Sequence, residues 1–184
     1  MPKRTTDANS SNNEKKRKVA VSKPVESAGD GPRYWLMKSE PDVYSIESLQ
    51  KEVRGHWDGV RNYQARNYIR SMKDGDLSFL YHSSCKAPGI YGMMKIVGES
   101  IPDKLAIDKT SKYYDPKATT DVNPWSSIVV EFVEAYEKPL LLPEIRELKD
   151  LGQCPLTTRG SRLSIMPLTL AQFEIFKNAL SSIN

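Results

Sequence analysis

The sequence predicts an α+β domain of mostly antiparallel strands with helices inserted between them. Three stretches have the alternating or continuously apolar pattern of strands: residues 76–83 (DLSFLYHS), 90–100 (IYGMMKIVGES) and 125–137 (WSSIVVEFVEAYE). The regular strand–helix–strand alternation of a parallel sheet is not found. A chain of 184 residues, 39% of them hydrophobic, is long enough to bury one good core. A small curled barrel with helices around it fits this length.

The first half of the body is expected to hold one short strand and two helices. Residues 34–38 (YWLMK) predict the strand, with Trp35 in the core. Ser45 is a suitable N-cap for a short helix, and Asn62 is a suitable N-cap for the next one. Helical spacing places four residues of the second helix on one apolar face: Ala65, Tyr68, Ile69 and Met72.

The second half begins with a predicted hairpin. An Ala-Pro-Gly turn separates the strands at 76–83 and 90–100, and Gly89 and Gly92 predict a bulge or a close backbone approach. Residues 101–124 are polar and predict a long ordered excursion or a surface loop.

Two helices and a strand are expected near the C-terminus. Pro143 suits the first turn of a short helix, and residues 161–168 predict a short strand. Thr169 and Gln172 have the spacing of a capping box at the start of the last helix. Its apolar face is predicted to contain Leu170, Phe173, Phe176 and Leu180.

Residues 1–33 are expected to be a disordered basic tail that precedes the folded domain at 34–184, because they lack the apolar side chains that offset ordering entropy. They hold eight of the 27 Lys and Arg and four of the 23 Asp and Glu, which leaves nineteen of each for the body. A compact basic cluster, typical of a nuclear import signal, consists of Lys15, Lys16, Arg17 and Lys18. It predicts an import receptor as partner and a nuclear location; a solvated charge run is the alternative.

Membrane and disulfide-based classes are not favoured. No apolar run approaches the ~18 residues that a membrane span needs, and the first residues do not resemble a signal peptide. Two cysteines are too few for a disulfide scaffold, which favours a reduced intracellular compartment.

Catalytic and metal sites are not predicted either. His82 and Cys85 have a metal-like spacing, but His56 and Cys154 lie far from them in the sequence. Neighbours on a strand point to opposite faces, so His82 would not reach a nucleophile next to it. No nucleophile elbow, phosphate-binding loop or dinucleotide motif occurs. We therefore expect no catalytic residue, no cofactor and no metal.

The stretch at 56–70 (HWDGVRNYQARNYIR) contains turn-forming residues followed by a helix with a basic side. Arg66, Arg70 and Lys73 share a helix face that is separate from the apolar one. In a body without net charge, this local excess favours contact with phosphates as much as it favours an ordinary solvated face.

Six segments occur in an order that resembles the EVE domain: YWLMKSEP, WDGVRNYQARNYIR, LSFLYHS, PGIYGMMKIV, YYDP and RLSIMPLT. The resemblance extends from Tyr34 to the last helix, and it implies a PUA-like fold, a small β-barrel surrounded by helices. The PUA-like superfamily also contains YTH domains, which hold a methylated base in an aromatic cage. EVE domains are regarded as readers of modified bases in DNA, including cytosines such as 5-hydroxymethylcytosine. A monomeric, non-catalytic nuclear reader is therefore implied, with DNA favoured over RNA as its partner.

A pocket for one base is expected from the resemblance and from the chemistry of a flipped nucleotide, which needs an aromatic plate and oriented polar groups. Trp57 would provide the plate, and Asp58 would accept a hydrogen bond from an exocyclic amine. The predicted pocket residues are Lys38, Ser39, Glu40, Trp57, Asp58, Gly59, Val60, Tyr81, His82, Ser83 and Trp125. The predicted phosphate contacts are Arg61, Asn62, Arg66 and Arg70.

Structural alternatives exist for these residues. Trp57 would also suit a plug at the barrel end, and Asp58 could pair with Arg61 as a loop staple. Tyr81 and His82 are strand neighbours, so at most one of them faces the pocket. An RNA-binding module, a small enzyme that acts on nucleotides and a protein-binding adaptor remain as alternative functions.

Overall fold

The computed structural model describes residues 33–158 and 160–184. The strands are β1 Tyr34–Ser39, β2 Arg54–Trp57, β3 Leu77–His82, β4 Gly89–Pro102, β5 Ser126–Leu141 and β6 Ile165–Leu168. The α-helices are α1 Ile46–Glu52, α2 Tyr63–Ser71, α3 Leu142–Glu147 and α4 Leu170–Ile183, and a 3₁₀ turn spans Lys104–Ala106. The predicted tail and its basic cluster at 15–18 lie outside the described residues.

The six strands form one sheet in the order β2-β5-β4-β3-β1-β6. Four of its neighbouring pairs are antiparallel, and β1 and β3 are parallel, with Ser39 beside His82. The predicted α+β class with a mostly antiparallel sheet is confirmed. The expected closed barrel is not seen in residues 33–158 and 160–184, where β2 and β6 end the sheet without pairing with each other. Both end strands are only four residues long, and Pro167 in β6 has no N–H to donate to a further strand.

Helices cover both faces of the sheet. Trp35 and Met37 of β1 pack in a first core with α1 and α2, whereas Leu36 between them packs in a second core with α3 and α4. Successive side chains of a strand point to opposite faces, so β1 is buried on both sides. The location of Trp35 in the core is confirmed, since it is only 3% exposed.

The predicted hairpin and helix caps are confirmed. β3 and β4 are antiparallel neighbours, and the pairing of β4 with β5 shifts register between Ile90 and Gly92. A Cβ at Gly92 would collide with the Ile46 side chain and with a backbone carbonyl of β5, which explains the need for glycine there. Ser45 and Asn62 are the N-caps of α1 and α2, as expected.

Helix α4 begins with the predicted capping box. Thr169 Oγ1 accepts the N–H of Gln172 at 3.1 Å, and Gln172 Oε1 accepts the N–H of Thr169 at 3.1 Å. The predicted apolar face is wrong at Leu170, which is 57% exposed, because burial of this face begins one turn later at Phe173. In the described part of the chain, no helix is long and apolar enough to cross a bilayer.

Candidate functional site

A cavity of about 720 Å³ lies at the end of the sheet where β1 and β3 finish. Because these two strands are parallel, their carboxyl ends meet at the same edge. Ser83 follows β3 and donates its backbone N–H to the carbonyl of Ser39 at 2.9 Å, which joins the two strand ends. The volume falls within the usual range of pockets that bind small molecules, about 300–1,000 Å³.

Eight of the eleven predicted pocket residues line this cavity. They come from the end of β1, the end of β2 with the loop after it, and the loop after β3. These residues are Lys38, Ser39, Glu40, Trp57, Asp58, Gly59, Val60 and Ser83. Segments distant in sequence are therefore brought together around one opening.

The other three predicted pocket residues do not line the cavity. Tyr81 is 3% exposed and packs in the second core, because helices cover both faces of the sheet. His82 lies between the sheet and α1, where its Nε2 accepts the N–H of Ile46 at 3.3 Å and its ring stacks on Tyr91. Trp125 packs under the loop that follows β4, and its Nε1–H donates to Asp115 at 2.6 Å.

Trp57 lies at the end of β2, a strand that the turn-like sequence did not predict. It pairs with Ile128 of β5 and is only 6% exposed, as a member of the first core. Its ring meets Tyr44 nearly at right angles, with centroids 6.2 Å apart. Trp57 and Tyr44 both line the cavity, so the indole is part of the packed interior and part of the cavity wall at the same time.

Gly59 lets the loop after β2 fold closely against a second loop. Its φ of +70° lies in the left-handed region, and a Cβ there would come within 2.8 Å of the Tyr113 ring. The N–H of Gly59 donates to Asp103 Oδ2 at 3.0 Å. Gly59 therefore makes its close approach to the protein itself.

Arg61 lines the cavity, but its guanidinium serves the loop structure. Nη1 forms an ion pair with Asp103 at 2.6 Å, and Nε donates to the carbonyl of Tyr113 at 2.7 Å. Asp103 has no exposed surface, so it needs this partner. Arg61 therefore forms a clamp between two loops, and its staple partner is Asp103 instead of Asp58, while its role as a phosphate contact stays a prediction.

The cavity holds an acid and a base whose ionisation is disfavoured by their surroundings. Partial loss of hydration raises the pKa of Asp58 above its ordinary value, and repulsion from Asp103 adds to this effect. Burial lowers the pKa of Lys38. Both groups line the same space, which therefore offers a hydrogen-bond acceptor and a donor to a polar ligand.

The predicted phosphate contacts on α2 lie outside the cavity lining. The side-chain oxygen of Asn62 accepts the N–H groups of Gln64 and Ala65, so it is engaged in capping. Arg66 and Arg70 both donate to the carbonyl of Pro124 at 3.0 Å. These two arginines fasten α2 to the segment that precedes β5.

An aromatic column links this helix to the loop clamp. Tyr63 is 60% exposed and stacks on Trp125 with ring centroids 4.9 Å apart. Arg66 lies 4.8 Å from the centre of the Tyr63 ring, and Arg61 lies 5.3 Å from the centre of the Trp125 ring. Alternating cations and aromatic faces of this kind stabilise a surface without further partners.

Ten residues that also line the cavity were not predicted, and they include Tyr44, Lys112, Tyr113 and Arg162. Tyr113 belongs to the quoted YYDP segment and could have been considered on that ground. Lys112 and Arg162 lie in polar loops whose position only the tertiary fold determines. Among the residues described, no group of three or more His, Cys, Asp or Glu side chains could hold a metal ion.

Known proteins resemble this chain over most of its length. Thymocyte nuclear protein 1 of Mus musculus is 42% identical over 162 residues, which cover 77% of this chain and 70% of the mouse protein. The crystal structure of a protein from Pseudomonas syringae is 50% identical, with a TM-score of 0.78, and the match covers 80% of this chain and 99% of that one.

A second similar structure is that of the human THYN1 protein in complex with DNA that contains 5-methylcytosine. It is 40% identical, with a TM-score of 0.72, and the match covers 82% of this chain and 96% of the human one. The model of the EVE domain matches residues 33–179. The chain therefore belongs to the EVE domain family.

Proposed function

We propose that this protein is a non-catalytic reader that binds a modified cytosine of DNA in the cavity beside Trp57. The observation that carries the proposal is the human relative, which shares the fold and was crystallised with DNA containing 5-methylcytosine. The cavity supports it, because a base needs an apolar wall and a few polar groups, and the lining supplies both.

The polar groups suit the edge of cytosine. The exocyclic amine of cytosine is a donor, and a carboxylate such as Asp58 is its usual acceptor in proteins. The ring nitrogen and carbonyl of cytosine are acceptors, for which the Lys38 ammonium and the Ser39 hydroxyl are donors. Trp57 would limit the space beside the ring of the base.

The remaining parts of the proposal concern the whole protein. The chain would consist of the tail at 1–33 and the EVE domain at 34–184, act as a monomer and work in the nucleus, where relatives named thymocyte nuclear protein 1 are expected to function. The basic cluster at 15–18 would bind an import receptor.

A titration of the full chain with matched oligonucleotides tests the function. The probes carry one cytosine or one 5-methylcytosine in the same sequence, and an RNA of that sequence accompanies them. We expect the tightest binding to modified DNA. No preference for the modified base would contradict the proposal, tighter binding of RNA would redirect it to RNA, and a changed mass of the base would reveal an enzyme.

The variant that probes the pocket is Asp58→Asn, with Asp121→Asn as its matched control at an exposed position outside the cavity. The raised pKa of Asp58 means that the folded protein holds this carboxylate at a cost, so the amide is not expected to lower the melting temperature. We expect Asp58→Asn to weaken binding of the DNA, because a neutral amide oxygen accepts a hydrogen bond from the exocyclic amine less strongly than a carboxylate does. Trp57→Ala is a poor probe, because removing a core indole costs about 3–5 kcal/mol.

A further inference from the structure

Two exposed cations on separate loops line the cavity. Lys112 belongs to the loop between β4 and β5, and Arg162 belongs to the loop that leads into β6. Both side chains line the cavity, and both residues are exposed to solvent. Neither forms an ion pair with any of the residues at 33–158 and 160–184.

The other cations near the cavity are placed differently. Arg61 is held by the buried Asp103, and Lys38 is half-buried at the end of β1. Arg66 and Arg70 are engaged with Pro124 outside the cavity lining. Lys112 and Arg162 are therefore the two lining cations that combine solvent exposure with a charge that no acidic side chain of the described residues neutralises.

The charge distribution makes their position significant. Residues 34–184 contain equal numbers of basic and acidic residues, so the body has no general attraction for nucleic acid. The lining contains four cations (Lys38, Arg61, Lys112 and Arg162) against two acids (Glu40 and Asp58). A local positive potential at the solvent-exposed part of the cavity is the expected consequence.

A nucleotide in this cavity would bring its phosphates to the same place. When a base turns out of its stack and enters a pocket, the sugar and the two adjoining phosphates stay at the entrance. Contacts to phosphates fix the position of the strand without reading its sequence.

We propose that Lys112 and Arg162 bind the two backbone phosphates that flank the base in the cavity. This inference rests on the proposed function, and it assigns the main backbone contacts to the two cavity loops in place of helix α2. Lys112 is well placed for this, because its Nζ lies 5.0 Å from the centre of the Tyr113 ring, next to the loop clamp. The two cations would provide affinity, and the residues below them would provide the choice of base.

The test compares the salt dependence of DNA binding. The full chain, the double variant Lys112→Gln with Arg162→Gln, and a control with Lys138→Gln and Lys177→Gln bind the same duplex, with and without one 5-methylcytosine. Lys138 and Lys177 are exposed residues outside the cavity lining. Each phosphate contact that is lost lowers the slope of log K against log salt concentration by about 0.9 on duplex DNA.

We expect the double variant Lys112→Gln with Arg162→Gln to lower the slope of log K against log salt concentration by about 2. The ratio of affinities for modified and plain DNA should stay unchanged. The single variant Arg162→Lys should keep most of the contribution that Arg162 makes to this slope, since the positive charge remains. The melting temperature should not change, because both residues are exposed.

A slope equal to that of the Lys138 and Lys177 control would overturn the inference, even if modified DNA were still preferred. A lowered slope in a protein without any preference for the modified base would refute the proposed function and leave the phosphate contacts standing. Absence of DNA binding by the full chain would refute both.

Discussion

His82 illustrates how a residue that looks functional in the sequence can have a structural role. Its Nε2 accepts the N–H of Ile46, the first residue of α1, and this requires the free lone pair of a neutral ring. The chain segment before Ile46 contributes Glu40, Val43 and Tyr44 to the cavity wall. His82 therefore holds the start of α1, which directly follows a segment of the cavity wall.

The protonation of His82 predicts a pH dependence of stability. Burial lowers its pKa in the folded protein, and attraction to Glu47 only partly opposes this shift. The stabilisation is complete above the unfolded value of about 6.5 and is lost as the pH falls through the lower folded value, with a slope of at most about 1.4 kcal/mol per pH unit. Denaturant unfolding between about pH 7.5 and 5 measures it.

The matched variants are His82→Gln, which keeps an acceptor without titrating, and His56→Gln, which removes the other histidine of the chain at an exposed position. We expect a flatter profile for His82→Gln and a parental profile for His56→Gln. Equal slopes for His82→Gln and the parent would show that another group is responsible.

At the scale of elements, the cavity depends on the loop after β2 being held by the loop after β4. The N–H of Gly59 and the guanidinium of Arg61 both bond to Asp103 Oδ2. The Tyr113 ring packs where a side chain at residue 59 would be. These contacts join two segments about forty residues apart, which sequence periodicity does not reveal.

The variant Gly59→Ala tests this loop contact. A left-handed φ costs a non-glycine residue about 1–2 kcal/mol, and the methyl group would also displace the Tyr113 ring. Gly75→Ala is the matched control, since Gly75 has a φ of +84° but nothing within 4 Å of an added Cβ. Denaturant unfolding should show a larger loss for Gly59→Ala, together with weaker DNA binding. Equal losses in both variants would mean that the Tyr113 contact contributes nothing.

For the whole molecule, local signals in the sequence predicted the elements well. The caps at Ser45, Asn62 and Thr169 depend on neighbouring residues, so each was visible in the sequence and is present in the structure. Strand β2 was not visible, because its four residues, RGHW, form a strand only through their pairing with β5. Closure of the sheet also depends on distant pairings, and for that reason the sequence could not show that the strands at 33–158 and 160–184 form an open sheet instead of the expected barrel.

The part of the candidate site that could be predicted lies at strand ends and in the loops that directly follow them. The resemblance and the chemistry of the WDGV segment predicted eight residues that line the cavity. Alternation along β3 could not place Tyr81 and His82, because both faces of the sheet are covered. Trp125 was misplaced because its position depends on the loop between β4 and β5, whose path has no periodic signal.

The central claim, that a base of DNA enters the cavity beside Trp57, is tested most directly by the NMR signals of the three indole N–H groups during titration with DNA containing 5-methylcytosine. Trp35 is an internal reference, because its Nε1–H is held by Asp76 at 2.9 Å and lies outside the cavity lining. We expect the Trp57 signal to move with saturation of the DNA while the Trp35 signal stays in place. Saturable binding that leaves the Trp57 signal unmoved would contradict the account.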